Sequence, residues 1–137
     1  MKPKQIFSLL ARLLAAGIML QTLYFKFTAQ PESIYIFSRL GMEPWGRIGS
    51  GIAELIASGL LLWPSTVVLG AVLGACIMLG AVAAHATLLG IEVMGDGGQL
   101  FIYALIVLIA CISLIILHFR QLVVIKDRFF VKRPIIK

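Results

Sequence analysis

Charged residues are scarce in this sequence. Asp, Glu, Lys and Arg make up 13% of the 137 residues, whereas a typical soluble domain has roughly 25%. Acidic residues are the scarcest, at 6 against 12 basic ones, and the stretch from Leu55 to Ile91 holds no Asp, Glu, Lys or Arg. Hydrophobic residues reach 61%, with a mean hydropathy of +1.04. This composition excludes an ordinary soluble domain and predicts one integral membrane domain spanning residues 1–137.

Motifs for self-contained redox or metal chemistry are also absent. The sequence shows no haem ligand pair, iron–sulfur motif, nucleotide-binding fingerprint or metal-ligand cluster. Cys76 and Cys111 both lie inside apolar segments without CxxC spacing, so they are interpreted as small hydrophobic residues. No metal is predicted, the catalytic residues stay unknown, and whether the protein is an enzyme stays open. An electron for any redox step would have to come from a partner or a substrate.

The long uncharged stretch must fold back on itself. A continuous helix from Leu55 to Ile91 would be about 55 Å long, well beyond a hydrocarbon core of roughly 30 Å. Trp63-Pro64-Ser65 is the predicted reversal, because proline breaks a helix. With the flanking apolar runs, this predicts an all-α integral membrane four-helix bundle. Its spans are residues 6–27, 48–63, 66–89 and 99–118.

Two further segments are assigned from local signals. The basic start and the first apolar run are similar to a signal peptide. The run is too long for one, however, no cleavage site follows it, and Arg12 interrupts it. A retained membrane span is therefore predicted. Arg12 is placed close enough to the near surface to snorkel. Between spans one and two, Pro31-Glu32-Ser33 favours a helix start, and Gly41 with Pro44 its end. A short interfacial helix is predicted there, with an ordered loop as the alternative.

The basic residues indicate the orientation. Four spans place both termini on one side, and most of the basic residues fall on that side: Lys2, Lys4, Arg12, Arg120, Lys126, Arg128, Lys132, Arg133 and Lys137. The positive-inside rule therefore predicts that both termini are cytoplasmic. The net charge of +6 does not indicate nucleic acid binding. The basic residues lie at the edges of apolar runs, where they determine membrane topology, and not on one polar face. The basic cytoplasmic tail, residues 120–137, is predicted to lie on the anionic inner leaflet; docking of a cytoplasmic partner is the alternative.

The candidate polar site centres on Glu54, within the segment GSGIAELIASGLLLW at residues 49–63. A carboxylate at depth in lipid costs roughly 2.5 to 3.5 kcal/mol, so Glu54 is expected to face the protein interior and to have a partner. At about 1.5 Å of helix per residue, four side chains from different spans fall in the outer half of the bundle: Lys26, Glu54, His85 and Tyr103. Gln21 lies one turn deeper than Lys26. A structural carboxylate that joins two helices is the alternative.

A family resemblance adds to this interpretation. Its elements are an Arg near the start and a Lys near the end of span one, the pattern G-x-x-E-L-x-x-x-x-L-L-L from Gly51 to Leu62, and G-A-V-A-A-H from Gly80 to His85. Over residues 9–118 the chain resembles the DoxX family of small four-helix bacterial membrane proteins. The family is named after the membrane subunit of a thiosulfate:quinone oxidoreductase, and other members are similar to partners of cytoplasmic redox proteins. The resemblance implies the bacterial cytoplasmic (inner) membrane.

Two classes of function follow as expectations. In the first, the protein is a membrane component of a quinone-linked or thiol/sulfur-linked redox system, with a cytoplasmic or membrane redox partner. The polar site would then bind a quinone head group or a small anion, with Glu54 and His85 handling protons and Lys26 supplying positive charge. In the second, the protein is a small proton-coupled transporter. A non-catalytic scaffold for partner proteins stays a third interpretation, and the sequence is compatible with a homo-oligomer.

Overall fold

The computed structural model describes residues 1–130, and within that range the chain is helical, without a β-strand. The α-helices are α1 (Pro3–Phe27), α2 (Pro31–Arg39), α3 (Trp45–Leu62), α4 (Val67–Ala84), α5 (Gln99–Leu117) and α6 (Phe119–Phe130). A π-helical turn, His85–Leu89, continues α4 directly.

In the described part of the chain, three helices are long and apolar enough to cross a membrane: Pro3–Phe27, Val67–Leu89 and Gln99–Leu117. Helix α3 is not among them. It has 18 residues, but Arg47 and Glu54 lower its hydropathy. Both of these charged side chains are buried, at 7% and 3% exposure, so the polarity of α3 is directed toward the protein interior and not outward.

The long helices pack around a shared core. Helix α1 contacts α3 and α5, and α4 contacts the same two helices. Fully buried side chains come from each of the four: Ala15 and Met19, Ala57 and Leu61, Val67 and Ala71, and Val107, Cys111 and Leu114. Many large apolar side chains on the opposite faces are exposed, such as Leu10, Ile56, Leu79 and Ile109. An apolar outer surface around an apolar core is the pattern expected of helices solvated by lipid.

Glycines in α4 permit the closest helix contacts. A Cβ atom on Gly70 would lie 2.6 Å from the Leu61 backbone nitrogen, and one on Gly74 would lie 2.8 Å from Cys111 Sγ. These positions are one helical turn apart and face α3 and α5 respectively. Small residues at this spacing let helix backbones approach closely, as they do in membrane helix pairs.

The predicted reversal is found between α3 and α4. Helix α3 ends at Leu62, and Pro64 lies in the turn before α4 begins at Val67. Thr66 Oγ1 donates a hydrogen bond to the Leu60 carbonyl oxygen at 2.8 Å, which satisfies one of the carbonyls left open at the end of α3. Gln121 Nε2 donates to the Pro64 carbonyl oxygen at 3.0 Å, so the start of α6 is held against this turn.

Arg12 is half-exposed and also binds the end of α3. Its Nε donates to the Leu61 carbonyl oxygen at 2.6 Å and its Nη2 to that of Leu62 at 2.7 Å. These carbonyls belong to the last turn of α3, where they have no partner within the helix and carry the negative end of the helix dipole. The sequence interpretation did not predict these contacts, because it considered only depth along α1 and not the neighbouring helix end.

Side-chain contacts define two ends of the molecule. At the Arg12 end, α1 begins beside the end of α3, and Ser8 Oγ lies 2.8 Å from His118 Nε2. At the Lys26 end, Arg47 at the start of α3 donates to the Lys26 carbonyl oxygen, and Arg39 of α2 donates to that of Leu88 at 3.2 Å. The short helix predicted after Pro31 is present as α2. Helix α6 has no buried residue, and residues 131–137 of the predicted tail, with Lys132, Arg133 and Lys137, lie outside the described residues.

Candidate functional site

Glu54 and Lys26 form an ion pair between α3 and α1. Lys26 Nζ lies 2.7 Å from Glu54 Oε1, with 4% of the Glu54 side chain and 15% of the Lys26 side chain exposed. Removing a carboxylate this completely from water is costly unless an opposite charge and hydrogen bonds compensate for it. The sequence-based expectation that Glu54 faces the interior with a partner is met by Lys26.

Hydrogen bonds complete the surroundings of Glu54. Thr22 Oγ1 lies 2.9 Å from Glu54 Oε2 and 2.8 Å from the Met19 carbonyl oxygen, so its single hydrogen is shared between two acceptors. Ser58 Oγ donates to the Glu54 carbonyl oxygen at 2.8 Å. Each oxygen of the carboxylate has a donor, Lys26 for Oε1 and Thr22 for Oε2. Thr22 and Lys26 are four residues apart on α1, which places them on the same face of that helix.

One aromatic ring lies beside Lys26, and a second packs on α3 near Glu54. Lys26 Nζ is 5.8 Å from the centre of the Phe37 ring of α2, within the range of a cation–π interaction. The Phe27 ring packs on Gly51, where an added Cβ would lie 2.8 Å from Phe27 Cε1. Gly51 precedes Glu54 by about one turn of α3. The Phe37 ring is buried, so it reduces the access of water to Lys26 and strengthens the electrostatic interactions of the ion pair.

A second ion pair lies next to the first. Arg47 Nε is 2.9 Å from Glu43 Oε1 and 3.0 Å from Oε2. Arg47 also donates through Nη1 to the Lys26 carbonyl oxygen, which joins the two pairs through the backbone. Two positive and two negative side chains make this cluster neutral overall. We call these four residues, Lys26, Glu43, Arg47 and Glu54, the ion-pair cluster.

His85 lies in a separate polar arrangement. It is 5% exposed and begins the π-helical turn, where its Nδ1 is 2.8 Å from the Gly90 carbonyl oxygen. Its ring packs edge-on against Phe101 of α5, with the ring centres 5.6 Å apart. Within residues 1–130, no hydrogen bond or ion pair joins His85 to Glu54.

The remaining predicted site residues are less enclosed. Tyr103 is half-buried, and its hydroxyl oxygen accepts a hydrogen bond from Gln99 Nε2 at 2.7 Å. Gln21 is exposed on α1. Of the five predicted residues, the structure joins Lys26 and Glu54 directly. It gives His85 and Tyr103 different hydrogen-bond partners.

Asp96 organises the loop at residues 90–98. Its Oδ1 accepts hydrogen bonds from the backbone N–H groups of Val93 and Gly98 at 3.0 and 2.8 Å, and its Oδ2 accepts one from Leu100 at 3.1 Å. Burial alone would raise the pKa of Asp96, but these backbone donors and the nearby His85 outweigh it and hold the pKa below the usual value. The carboxylate thus stabilises both the loop and the start of α5.

This geometry predicts an acid-sensitive loop. Because the folded-state pKa of Asp96 is lowered, its stabilising contribution is complete above the ordinary Asp pKa of about 4 and is lost as the pH falls through the lower folded value. Pepsin cleavage within residues 90–98 should therefore accelerate only below about pH 4. The Asp96→Asn variant should be cleaved faster than the parent above about pH 4 and at the same rate once Asp96 of the parent is protonated, while Glu92→Gln in the same loop should behave as the parent. Equal cleavage of parent and Asp96→Asn above about pH 4 would contradict this role.

Sequence interpretation missed Thr22, Arg47 and Glu43 as members of the site. A usable signal exists for two of them. Thr22 precedes Lys26 by four residues, and Arg47 precedes Glu54 by seven, so each shares a helix face with a residue already selected. Glu43 lies outside the helices and had no such periodic signal, because its role depends on how the chain enters α3.

Comparisons with protein-family models, curated proteins and solved structures found no match to this chain.

The ion-pair cluster has a defined chemical capacity. The Lys26 ammonium carries three N–H groups, of which one is directed at Glu54, and it is the more exposed member of the pair. A ligand reaching it would meet hydrogen-bond donors first, with the carboxylate behind them. Such an arrangement can bind an oxygen acceptor and can pass a proton between that acceptor and Glu54.

Proposed function

We propose that this protein is an integral membrane four-helix bundle formed by α1, α3, the α4–π segment and α5, with α2 at the membrane interface. Helices α1, α4 with its π-helical turn, and α5 are each long and apolar enough to cross a membrane. Helix α3 packs between α1 and α4 and directs its charges inward. Trp45, 79% exposed at the start of α3, fits an interfacial position.

This topology predicts sided labelling of introduced cysteines. A membrane-impermeant thiol reagent should reach Glu92→Cys from outside the cell and Lys126→Cys only from the cytoplasm, because the proposed spans place these positions on opposite sides. Native Cys111 is buried and Cys76 lies midway along α4 facing outward, so both should stay unlabelled. Labelling of Lys126→Cys from outside would contradict the orientation, and labelling of both positions from one side would contradict α5 as a membrane span.

The function that this geometry supports best is a membrane component of a quinone-linked redox system in the bacterial inner membrane, acting with a redox partner. The observation that carries the proposal is the unequal exposure of the ion pair, 15% for Lys26 against 4% for Glu54. A quinone carbonyl oxygen is a hydrogen-bond acceptor that suits the free N–H groups of Lys26. The resemblance to the DoxX family supports the same class of function.

In this proposal each residue has a separate task. Reduction of a quinone to a quinol takes two electrons, supplied by the redox partner, and two protons. Lys26 orients the carbonyl oxygen and stabilises negative charge that develops on it. Glu54 holds the ammonium in place. Lys26 gives one of the two protons to the reduced oxygen and is reprotonated through Glu54, and the second proton comes from water. Phe37 limits the entry of water beside Lys26.

Equilibrium binding of a short-chain benzoquinone analogue in lipid nanodiscs tests this function. Quenching of tryptophan fluorescence should report saturable binding by the parent. Lys26→Met and Glu54→Gln should each bind about ten- to hundredfold more weakly, because a charge-assisted hydrogen bond contributes roughly 1.5 to 3 kcal/mol. Lys126→Met removes the same charge from exposed α6 and should bind as the parent. Absence of saturable binding, or equal affinity in Lys26→Met, would contradict the proposal.

A non-catalytic scaffold is the second candidate, and one observation favours it. Within residues 1–130, no buried side-chain nitrogen or oxygen lacks a hydrogen-bond partner. A fully satisfied ion-pair cluster can serve to join α1 to α3 and nothing more. The double variant Lys26→Met/Glu54→Leu separates the two functions, because it removes the charges together. A scaffold should keep its cellular role in that variant, whereas a quinone site should lose it.

A further inference from the structure

An open cavity lies at the Arg12 end, opposite the ion-pair cluster. Its volume is about 420 Å³, and the residues lining it include Lys4, Gln5, Ser8, Arg12, Pro64 and His118. Lys4 and Arg12 provide positive charge, and Gln5, Ser8 and His118 provide polar atoms. None of the described lining residues is an aspartate or a glutamate. The cavity is therefore suited to an anion on charge alone.

Arg12 has donor capacity left over in this cavity. Its Nε and one N–H of Nη2 are used by the α3 carbonyls of Leu61 and Leu62, and a guanidinium has five N–H groups in total. No carboxylate lies within ion-pair distance of Arg12 in residues 1–130. Buried Arg47, by contrast, is paired with Glu43. Arg12 thus holds a partly buried positive charge that the end of the α3 dipole compensates only in part and that no carboxylate in residues 1–130 neutralises.

The wall beside Arg12 is preorganised. Ser8 Oγ and His118 Nε2 lie 2.8 Å apart and join α1 to the end of α5. Gln121 bonds to the Pro64 carbonyl oxygen and holds α6 against the opposite side. A ligand entering the cavity would therefore meet Ser8 and His118 already fixed in place, which reduces the entropic cost of ordering them.

We propose that this cavity binds a phosphate group through Arg12 and Lys4. Arginine is well suited to phosphate because its planar fork forms parallel charge-assisted hydrogen bonds, and lysine adds a point charge. The phosphate is supplied either by an anionic phospholipid headgroup or by a soluble phosphate ion, and both have the same recognition chemistry. The proposal does not depend on quinone binding at Lys26.

The test uses the full chain purified in an uncharged maltoside detergent. Trp63 precedes cavity residue Pro64, so its fluorescence in a Trp45→Phe background reports occupation of the cavity. Inorganic phosphate and dihexanoyl phosphatidylglycerol are titrated separately, each against sodium chloride of equal ionic strength. Lys4→Gln is the test variant, since Arg12 also holds the end of α3. Lys2→Gln is the matched control, because it removes the same charge from the same helix start without lining the cavity.

Saturable binding of at least one titrant is expected, with affinity in Lys4→Gln about fivefold lower and Lys2→Gln within twofold of the parent. Binding of phosphatidylglycerol alone identifies a lipid headgroup as the source, and binding of inorganic phosphate identifies a free-anion site. If neither titrant produces a response beyond that of sodium chloride, the proposal is overturned. An equal loss in Lys2→Gln and Lys4→Gln would also overturn it, because the attraction would then belong to diffuse surface charge.

Discussion

Replacing Glu54 by leucine is expected to lower the free energy of unfolding by about 3 to 5 kcal/mol, because it leaves the Lys26 ammonium without its charged partner. The ion pair is close, at 2.7 Å, and Glu54 is nearly inaccessible. Leucine also removes the acceptor of the Thr22 hydroxyl on this side. Reversible unfolding in mixed detergent micelles, followed by circular dichroism, measures the loss.

The double variant Lys26→Met/Glu54→Leu is the decisive control for this expectation. Removing both charges should restore most of the stability, since a buried pair replaced by apolar side chains is often neutral or better. Glu92→Leu, on the exposed loop after the π-helical turn, should change stability by less than about 0.5 kcal/mol. A single Glu54→Leu variant as stable as the parent would show that the pair is solvated and not enclosed by the helices.

Adding one methyl group at Gly70 is the second large effect expected. A Cβ there would lie 2.6 Å from the Leu61 nitrogen and 2.9 Å from the Ala57 carbonyl oxygen. These are backbone atoms of α3, so they cannot rotate away as a side chain would. Gly70→Ala should therefore push α3 from α4 and cost about 1 to 3 kcal/mol.

Gly80→Ala is the matched control, because it makes the same change in the same helix. Nothing lies within 4 Å of a Cβ at that position. Alanine is the better helix former, so Gly80→Ala should leave stability unchanged or raise it by up to about 1 kcal/mol. Both variants are compared by the same unfolding measurement. Equal stability of Gly70→Ala and Gly80→Ala would contradict the close contact between α3 and α4.

Much of the helical organisation was predictable from the sequence because hydrophobicity and proline act locally. The absence of charge from Leu55 to Ile91 required a reversal, and Pro64 marked its place. The start of α2 followed from Pro31. Helix boundaries differ from the predicted spans by a few residues at most, as at Trp45 and Pro3. The π-helical turn at His85–Leu89 had no signal in the periodicity, since it depends on how the loop after it packs.

The candidate site was only partly predictable, for a geometric reason. Counting residues along each span gives the depth of a side chain but not its direction around the bundle. Depth alone grouped Lys26, Glu54, His85 and Tyr103, whereas the structure pairs Lys26 with Glu54 and directs His85 to the Gly90 carbonyl. Contacts to backbone carbonyls, such as those of Arg12, depend on the ends of neighbouring helices and have no sequence pattern.

The most direct test of the proposed proton-handling role of Glu54 is an infrared difference spectrum recorded while a bound quinone analogue is reduced electrochemically. Transfer of a proton to or from Glu54 changes the carbonyl stretching band of its carboxyl group. The account predicts such a band in the parent, its loss in Glu54→Gln and its persistence in Glu92→Gln. A spectrum that is identical in parent and Glu54→Gln would contradict the account and leave Glu54 as a structural link between α1 and α3.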